Sequence, residues 1–131
     1  MGSRTSGAFE LTAFEPEETD EQPGSTVGRV RITKDFTGGL TGTSLVRMFS
    51  VMDGEGGPAA YVAVERFTGT LDGRQGSFVL QHSAPGSQGE RLAIRVVAGT
   101  GSGGLTGITG TFELNVDEQG AHTYVLEYEL G

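Results

Sequence analysis

The chain consists of runs in which apolar and polar residues alternate, each about ten residues long and closed by glycine or by an Asp or Asn turn. Such alternation is typical of β-strands with one buried face, and the glycine punctuation is typical of hairpins. No long window keeps a 3.6-residue period, so no long helix is predicted. The pattern predicts eight strands, over residues 7–14, 27–37, 40–52, 59–71, 74–84, 90–98, 109–116 and 122–130.

Eight strands joined largely by short turns form a meander, which loses its two free edges when it closes on itself. We therefore expect an all-β fold, an eight-stranded antiparallel closed barrel, with residues 1–131 as a single domain. Residues 1–6 are expected to form a flexible N-terminus. The segment 15-EPEETDEQPGS-25 carries five acids and two prolines without periodicity. It predicts a solvated acidic loop between the first two strands.

The dipeptide Asp72-Gly73 stands between two alternating runs and predicts a two-residue hairpin turn. Such a turn fixes the register, so that Ala63 lies opposite His82. Opposed residues share one face of a sheet. We expect the bulkier face to point inward; it carries Tyr61, Ala63, Glu65, Phe67, Phe78, Leu80 and His82.

Two further hairpins are predicted from their turns and their apolar faces. A two-residue loop at Gly38-Gly39 makes one inward face of Val30, Ile32, Lys34, Phe36, Leu45, Arg47, Phe49 and Val51. A five-residue loop at 117–121 gives the best match between the last two strands. Their inward face carries Phe112, Leu114, Val116, His122, Tyr124, Leu126, Tyr128 and Leu130.

The predicted inward faces carry both histidines and all three tyrosines. An eight-stranded barrel holds only side chains or one small ligand, and ionisable groups inside it are costly unless paired or hydrated. Glu65 and His82 are diagonal neighbours, and a carboxylate that orients an imidazole gives a general base near neutral pH. They are the candidate catalytic residues; the alternative is a purely structural ion pair or hydrogen-bonded network. The candidate ligand-binding residues are Tyr61, Phe67, Phe78, Leu80, Arg47, Phe49, His122 and Tyr124.

Composition excludes several classes of function. Seventeen acidic against nine basic residues give a net charge of −8, which disfavours nucleic acid and anionic membranes as partners. The chain has no cysteine, which excludes disulfides, thiolate metal sites and cysteine nucleophiles. No segment approaches the roughly 20 apolar residues of a membrane span, and the start lacks the apolar core of a signal peptide. A cytoplasmic protein is expected.

Metal and phosphate chemistry find little support in the sequence. Glu65 and the two histidines could form a metal site with two histidine ligands and one carboxylate ligand. However, no two of these residues are close enough in the sequence to act as neighbouring ligands on one strand. The segment 99-GTGSGGLTG-107 lacks the Gly-Lys-Ser/Thr ending of a phosphate loop and leads into a strand, so it predicts a structural turn. No metal and no cofactor are predicted. An outward row of valines (Val62, Val64 and Val79) favours a homodimer or homotrimer through the barrel walls.

The block 64-VERFTGTLDGRQGSFVLQHSAPG-86 resembles the signature of a bacterial family of small proteins, the domain of unknown function 3224. The resemblance continues over 7-GAFELTAF-14, 30-VRITKDFTGGLTGTS-44, 96-VVAGTGSGGLTGITGTFEL-114 and 122-HTYVLEYEL-130, and so spans nearly the whole chain. It implies the calycin-like, eight-stranded barrel of the allene oxide cyclase type. Barrels of that type hold hydrophobic substrates or radicals inside and steer cyclisation or coupling. No function is established for the family, so no catalytic role carries over.

One departure from the family pattern concerns the third strand. The family commonly has an acidic residue there, where this chain has Ser44 and Arg47. An inward Arg47 is expected to pair with Glu65.

These observations predict a protein that binds one small, largely apolar molecule inside the barrel. If it is an enzyme, the expected reaction is a cofactor-independent isomerisation or cyclisation. The alternative is a non-catalytic interaction or structural protein. A fully packed barrel whose inward ionisable groups satisfy one another would favour that alternative.

Overall fold

The computed structural model describes residues 2–85 and 92–131. The strands in these ranges are β1 (Ser3–Gln22), β2 (Ser25–Gly38), β3 (Leu40–Asp53), β4 (Pro58–Leu71), β5 (Arg74–Ala84), β6 (Ala93–Val96), β7 (Ser102–Gly103), β8 (Thr109–Val116) and β9 (His122–Glu129). Eight of them are antiparallel and close a barrel in the order β1-β2-β3-β4-β5-β6-β8-β9, with β9 paired to β1, and the short β7 adds to β5. The prediction of an all-β, eight-stranded antiparallel closed barrel is therefore confirmed. Within the described ranges no helix is long and apolar enough to cross a bilayer.

The Asp72-Gly73 turn sets the register of β4 and β5 as the sequence predicts. Asp72 has a φ of 47° and Gly73 a φ of 84°, the two positive values of a type I′ turn. Ala63 consequently pairs with His82. The Asp72 carboxylate also accepts hydrogen bonds from the hydroxyls of Thr5 at 2.9 Å and Tyr128 at 2.6 Å. These bonds tie the turn to β1 and β9.

The barrel is closed at the end where β4 turns into β5. The glycine-rich segment 97–108 folds across this end and contributes Leu105 and Ile108, which are fully buried together with Leu40 and Leu71. Hydrogen bonds within the segment, such as that from the Leu105 amide to the Ser102 carbonyl, hold it in tight turns. The segment thus forms the turns that the sequence predicts there.

No segment of the described residues covers the opposite end of the barrel, which we call the open end. β1 pairs with β9 only as far as Phe9 and then continues beside β2 alone. The turns that join β1 to β2, β3 to β4 and β8 to β9 all lie at this end. Apolar side chains on the inner faces of the strands remain exposed here. We call them the rim: Leu11, Phe14, Met52 and Val116.

Tyr124 is buried near the closed end, and its hydroxyl joins β9 to the turn between β2 and β3. It donates to the Thr37 carbonyl at 2.8 Å and accepts from the Leu40 amide at 2.8 Å. A buried backbone group left without a partner costs about 1–3 kcal/mol, so we expect Tyr124→Phe to lower the free energy of unfolding by about 2 kcal/mol in urea titrations. The control is Tyr61→Phe, because the Tyr61 hydroxyl forms no hydrogen bond with another described residue. Equal losses in the two variants would contradict the prediction.

The register of β2 and β3 differs by one residue from the prediction. Ile32 pairs with Val46, and Lys34 with Ser44, because the turn is centred on Gly39 and not between Gly38 and Gly39. Gly39 is held in the turn by neighbouring elements, since its amide donates to Ser6 and its carbonyl accepts from Asp72. A one-residue slip moves every side chain to the other face. The predicted inward positions of Leu45, Arg47, Phe49 and Val51 are therefore wrong, and Arg47 and Phe49 are exposed on the outer wall.

The acidic segment 15–25 forms a hairpin, and its prediction as a loop is wrong. β1 continues through this segment and β2 begins inside it. Two ion pairs cross the hairpin, Arg31 to Glu15 at 2.9 Å and Arg29 to Glu17 at 3.5 Å. The acidic side chains remain exposed, because this part of β1 is an edge strand beside β2, which pairs with β3 on its other side. An exposed edge strand and a loop can therefore have the same acidic composition.

Other differences in the boundaries are smaller. Residues 3–6 pair with β9, although the sequence predicted a flexible N-terminus. The strand predicted over 90–98 is described only as β6, and its residues 90–91 lie outside the described part of the chain. The five-residue loop at 117–121 is confirmed, because Val116 pairs with His122. Val116 itself is exposed because β8 ends there at the open end.

Candidate functional site

A carboxylate lies inside the barrel, about midway between the two ends. The inward residues of β4 run from Phe67 near the closed end, through Glu65 and Ala63, to Tyr61 at the open end. The Glu65 side chain is 0% exposed. His82 is buried on the neighbouring strand, so the predicted inward positions of Glu65 and His82 are confirmed.

Three side chains satisfy the Glu65 carboxylate. Lys34 Nζ lies 3.3 Å from Oε1, and His82 Nε2 lies 2.7 Å from the same oxygen. The Ser44 hydroxyl donates to Oε2 at 2.6 Å. All four residues are buried, and we call them the Glu65 cluster. Among the described residues, no buried side-chain nitrogen or oxygen lacks a hydrogen-bond partner.

The cation that pairs with Glu65 is Lys34, and the expected pairing with Arg47 is wrong. The one-residue shift of β3 turns Arg47 outward and brings Ser44 inward beside the carboxylate. The signal for Lys34 was present in the sequence, because it alternates with Ile32 and Phe36 on an apolar face. A lysine that is buried on an apolar face needs an acidic partner that is buried beside it.

The Glu65 carboxyl is held in its ionised form. Burial acts to raise its pKa, but the hydrogen bond from His82 and the positive charge of Lys34 outweigh burial, and the net pKa lies below the ordinary 4.5. An ionised carboxylate only accepts hydrogen bonds, so His82 Nε2 carries the proton between them. In the neutral imidazole, Nδ1 is then the unprotonated nitrogen and can act as a base.

The stability of the protein is expected to fall in acid partly through Glu65. A carboxyl whose pKa is lowered by folding contributes stability that is fully present above pH 4.5 and is lost as the pH falls through the folded pKa. The free energy of unfolding, measured by urea titration, should therefore drop less between pH 6 and pH 3 in Glu65→Gln than in the unsubstituted protein. Equal drops would contradict the lowered pKa.

Tyr61 lies between the Glu65 cluster and solvent at the open end. Its ring centroid is 6.4 Å from that of His82, and the side chain is half-buried. Burial raises the pKa of the Tyr61 hydroxyl, and the negative charge of Glu65 raises it further. The phenol therefore stays protonated at neutral pH and can donate a hydrogen bond.

The other candidate ligand-binding residues are scattered through the molecule. His122 lies at the open end, where its ring stacks on Phe9 at 5.0 Å. Arg47 and Phe49 lie on the outer wall. No group of three His, Cys, Asp or Glu side chains in the described part of the chain is placed to hold a metal ion. The residues Phe67, Phe78, Leu80 and Tyr124 pack in the aromatic core on the closed side of the cluster.

The structure thus defines a closed antiparallel β-barrel with one open end and an internal Lys–Glu–His cluster. The family model described as "Protein of unknown function (DUF3224)" matches residues 5–128, and the chain belongs to that family. A solved structure of a DUF3224 protein of unknown function from Shewanella oneidensis MR-1 is similar, with 35% sequence identity and a TM-score of 0.89. The match covers 100% of this chain and 99% of that one. Among curated proteins no sequence matches the chain.

Proposed function

We propose that the protein binds one small, largely apolar molecule at the open end of the barrel, against Tyr61 and His82. The observation that carries the proposal is the exposed apolar rim above a buried ionic cluster. At the closed end the inner face is fully buried, whereas on the rim Phe14 is 55% exposed and Val116 is 57% exposed. Ligand sites typically combine such apolar walls with a few placed polar groups.

The apolar part of the ligand would cover the rim. Burial of apolar surface contributes about 25 cal/mol per Å², so a molecule that covers several rim side chains gains most of its affinity there. The Glu65 cluster cannot itself supply that area, because it is buried. Tyr61, which is half-buried, and His82, which is 4% exposed, are the polar side chains that a bound molecule would touch.

The same site could support chemistry on the ligand without a cofactor. His82 would take a proton at Nδ1, and Glu65 would orient the ring and stabilise the imidazolium that forms. Tyr61 would donate a hydrogen bond to developing negative charge on the ligand. Proton transfer of this kind suits an isomerisation or cyclisation, and the resemblance to barrels of the allene oxide cyclase type supports it.

A non-catalytic barrel is the second candidate. One observation favours it: the donors of Lys34, His82 and Ser44 satisfy both carboxylate oxygens of Glu65. A network that satisfies itself needs no ligand to complete it. The two candidates differ in whether the rim retains a small molecule.

Retention of a compound from a cell extract of the source organism tests the proposal. The immobilised protein is incubated with the extract, washed and extracted with solvent, and bound compounds are identified by mass spectrometry. The test variant is Phe14→Ser on the rim. Its control is Val62→Ser on the outer wall, because Val62 is also apolar and, at 53%, similarly exposed.

We expect a small apolar compound that the unsubstituted protein and Val62→Ser retain and that Phe14→Ser loses at least tenfold. Retention of no compound, or equal retention by both variants, would refute binding at the rim and favour the second candidate.

A further inference from the structure

Lys34 is a buried amine that the proposed chemistry does not use. It is the only lysine in the sequence, and the other eight basic residues are arginines. The arginines in the described ranges are exposed, apart from the half-buried Arg31, whereas Lys34 is 6% exposed. Arginine is the usual residue for a buried ion pair, because its charge is permanent and its donors match a carboxylate. The one lysine of the sequence therefore lies where an ion pair alone would favour arginine.

The amine of Lys34 is also able to react. A lysine amine can lose a proton and attack a carbonyl carbon, whereas a guanidinium in a protein does neither. An ammonium has three donors, and with the described residues Nζ forms one hydrogen bond, to Glu65 at 3.3 Å. The ring of Phe9 lies against Nζ, with its centroid 4.5 Å away. Donors of Nζ thus remain for a ligand oxygen.

Lys34 lies at the level where the barrel opens. On β1 it pairs with the rim residue Leu11, which is 40% exposed. Phe9, two residues before Leu11, is the last residue of β1 that pairs with β9. Neighbouring strands are about 4.8 Å apart. A molecule bound on the rim at Leu11 is therefore one strand away from Lys34.

We propose that Lys34 forms a Schiff base with the carbonyl group of the ligand, which is then an apolar aldehyde or ketone. This inference rests on the proposed binding of an apolar molecule at the open end, and it names the class of that molecule. The apolar part covers the rim, and the carbonyl carbon meets Nζ inside the barrel. Glu65 pairs with the cation before and after the reaction, because the ammonium and the iminium each carry one positive charge.

The reaction balances with the groups of the Glu65 cluster. The Glu65 carboxylate takes a proton from Nζ, 3.3 Å away, and the free amine attacks the carbonyl carbon to form a C–N bond. A proton moves from the nitrogen to the former carbonyl oxygen, which gives a carbinolamine. Glu65 returns its proton to this hydroxyl group, which leaves as water while the nitrogen lone pair forms the C=N bond. An ammonium and a carbonyl thus give an iminium and water, without an oxidant or a reductant.

The surroundings of Nζ favour such a bond. Lys34 alternates on its strand with Ile32 and Phe36, which are both apolar and buried. Water hydrolyses an iminium, and the closing of an apolar site over a ligand expels water. An iminium also acidifies the protons of the adjacent carbon, so that His82 would remove one of them in an isomerisation. The Schiff base thus gives the proposed isomerisation an electron-accepting group from the chain itself.

Reductive trapping tests the proposal. The protein is incubated at pH 7 with octanal, benzaldehyde or acetophenone and with sodium cyanoborohydride, which reduces an iminium to a stable amine. Intact mass and peptide mapping then locate the adduct, which adds the mass of the probe less its oxygen. The primary amines of the chain are Lys34 and the α-amino group, so the α-amino group serves as an internal reference.

Two controls separate a Schiff base in the barrel from ordinary labelling of an amine. Lys34→Arg keeps the positive charge beside Glu65 and cannot form an imine. Labelling of the unsubstituted protein in guanidinium chloride reports Lys34 as an ordinary exposed lysine, and it needs no folded variant. A buried lysine with a purely structural role reacts more slowly in the folded protein than in the denatured one.

The measured quantity is the ratio of adduct at Lys34 to adduct at the α-amino group. We expect this ratio to be at least tenfold higher in the folded protein than in the denatured one for at least one probe. Lys34→Arg should carry adduct at the α-amino group alone. A ratio that is equal or lower in the folded protein for all probes would overturn the Schiff base.

Retention of octanol, measured by native mass spectrometry, distinguishes that failure from failure of the proposed function. Octanol has the apolar chain of octanal and no carbonyl group. If octanol is retained and no probe favours Lys34 in the folded protein, the Schiff base is wrong and the apolar site stands. If neither octanol nor octanal is retained, both proposals are wrong.

Discussion

Glu65→Leu is expected to lower the free energy of unfolding by about 3–5 kcal/mol, because it leaves the buried Lys34 charge without its partner. The carboxylate is fully buried and lies 3.3 Å from Lys34 Nζ. It also accepts from His82 and Ser44, whose donors lose their acceptor in the variant. Urea titration at pH 7 measures the loss. We expect Glu113→Leu, at an exposed outer-wall position, to change stability by less than about 0.5 kcal/mol.

The double variant Lys34→Met/Glu65→Leu tests whether the stability lost in Glu65→Leu comes from the unpaired charge of Lys34. Replacing a buried ion pair by apolar residues of similar volume is often close to neutral, so the double variant should regain most of the stability that Glu65→Leu loses. A double-mutant cycle then gives a large coupling between the two positions. Simple additivity of the two single losses would show that Lys34 and Glu65 do not interact as described.

Gly69→Ala is expected to cost about 4 kcal/mol. Gly69 belongs to a row of paired glycines that crosses four strands, with Gly42, Gly76 and Gly103. Its φ is +155°, and an added Cβ would collide with the carbonyl oxygen of Thr41 on β3. Overpacking costs about 1–3 kcal/mol and an unfavourable backbone conformation about as much again. The midpoint of urea unfolding measures the loss.

The control for this prediction is Gly54→Ala. There an added Cβ would meet nothing closer than Gly24 Cα at 3.4 Å, which is ordinary contact. We expect a change below about 1 kcal/mol. Similar losses at Gly54 and Gly69 would mean that the glycine row does not bring the strands into close approach.

The sequence predicts the part of the site on β4 and β5 correctly, because the turn between these strands permits only one register. Asp72-Gly73 accommodates two consecutive positive φ values, which few other dipeptides do, and this fixes the pairing of every residue from Tyr61 to Ala84. Glu65 and His82 then fall inward without further assumption. The five-residue turn between β8 and β9 follows from matching two clear apolar faces.

The predicted register of β2 and β3 is wrong for a physical reason. Either register of the Gly38-Gly39 turn buries a set of apolar side chains on β3, because the outer face there contains Leu45, Phe49 and Val51. If the exterior is assumed to be polar, the more apolar face of β3 is taken as the interior, and this choice places Arg47 beside Glu65. The error thus arises because the outer wall of the barrel is itself partly apolar at β3.

The prediction of residues 15–25 as a loop is wrong for a different reason. Residues 15–22 form an edge strand that is exposed on both faces, so they lack the alternation that identifies a strand. The open end has no sequence signal of its own either. It results from the departure of β1 from β9 after Phe9, which depends on tertiary pairing.

A carbon-13 NMR titration of the Glu65 side-chain carboxyl tests the Glu65 cluster itself, because the cluster depends on an ionised carboxylate held between Lys34 and His82. Selective labelling and Glu65→Gln identify the resonance. We predict that it titrates below 4.5, as its lowered pKa requires. A Glu65 carboxyl that titrates at or above 4.5 would contradict the buried ionic cluster and the proposed role of His82.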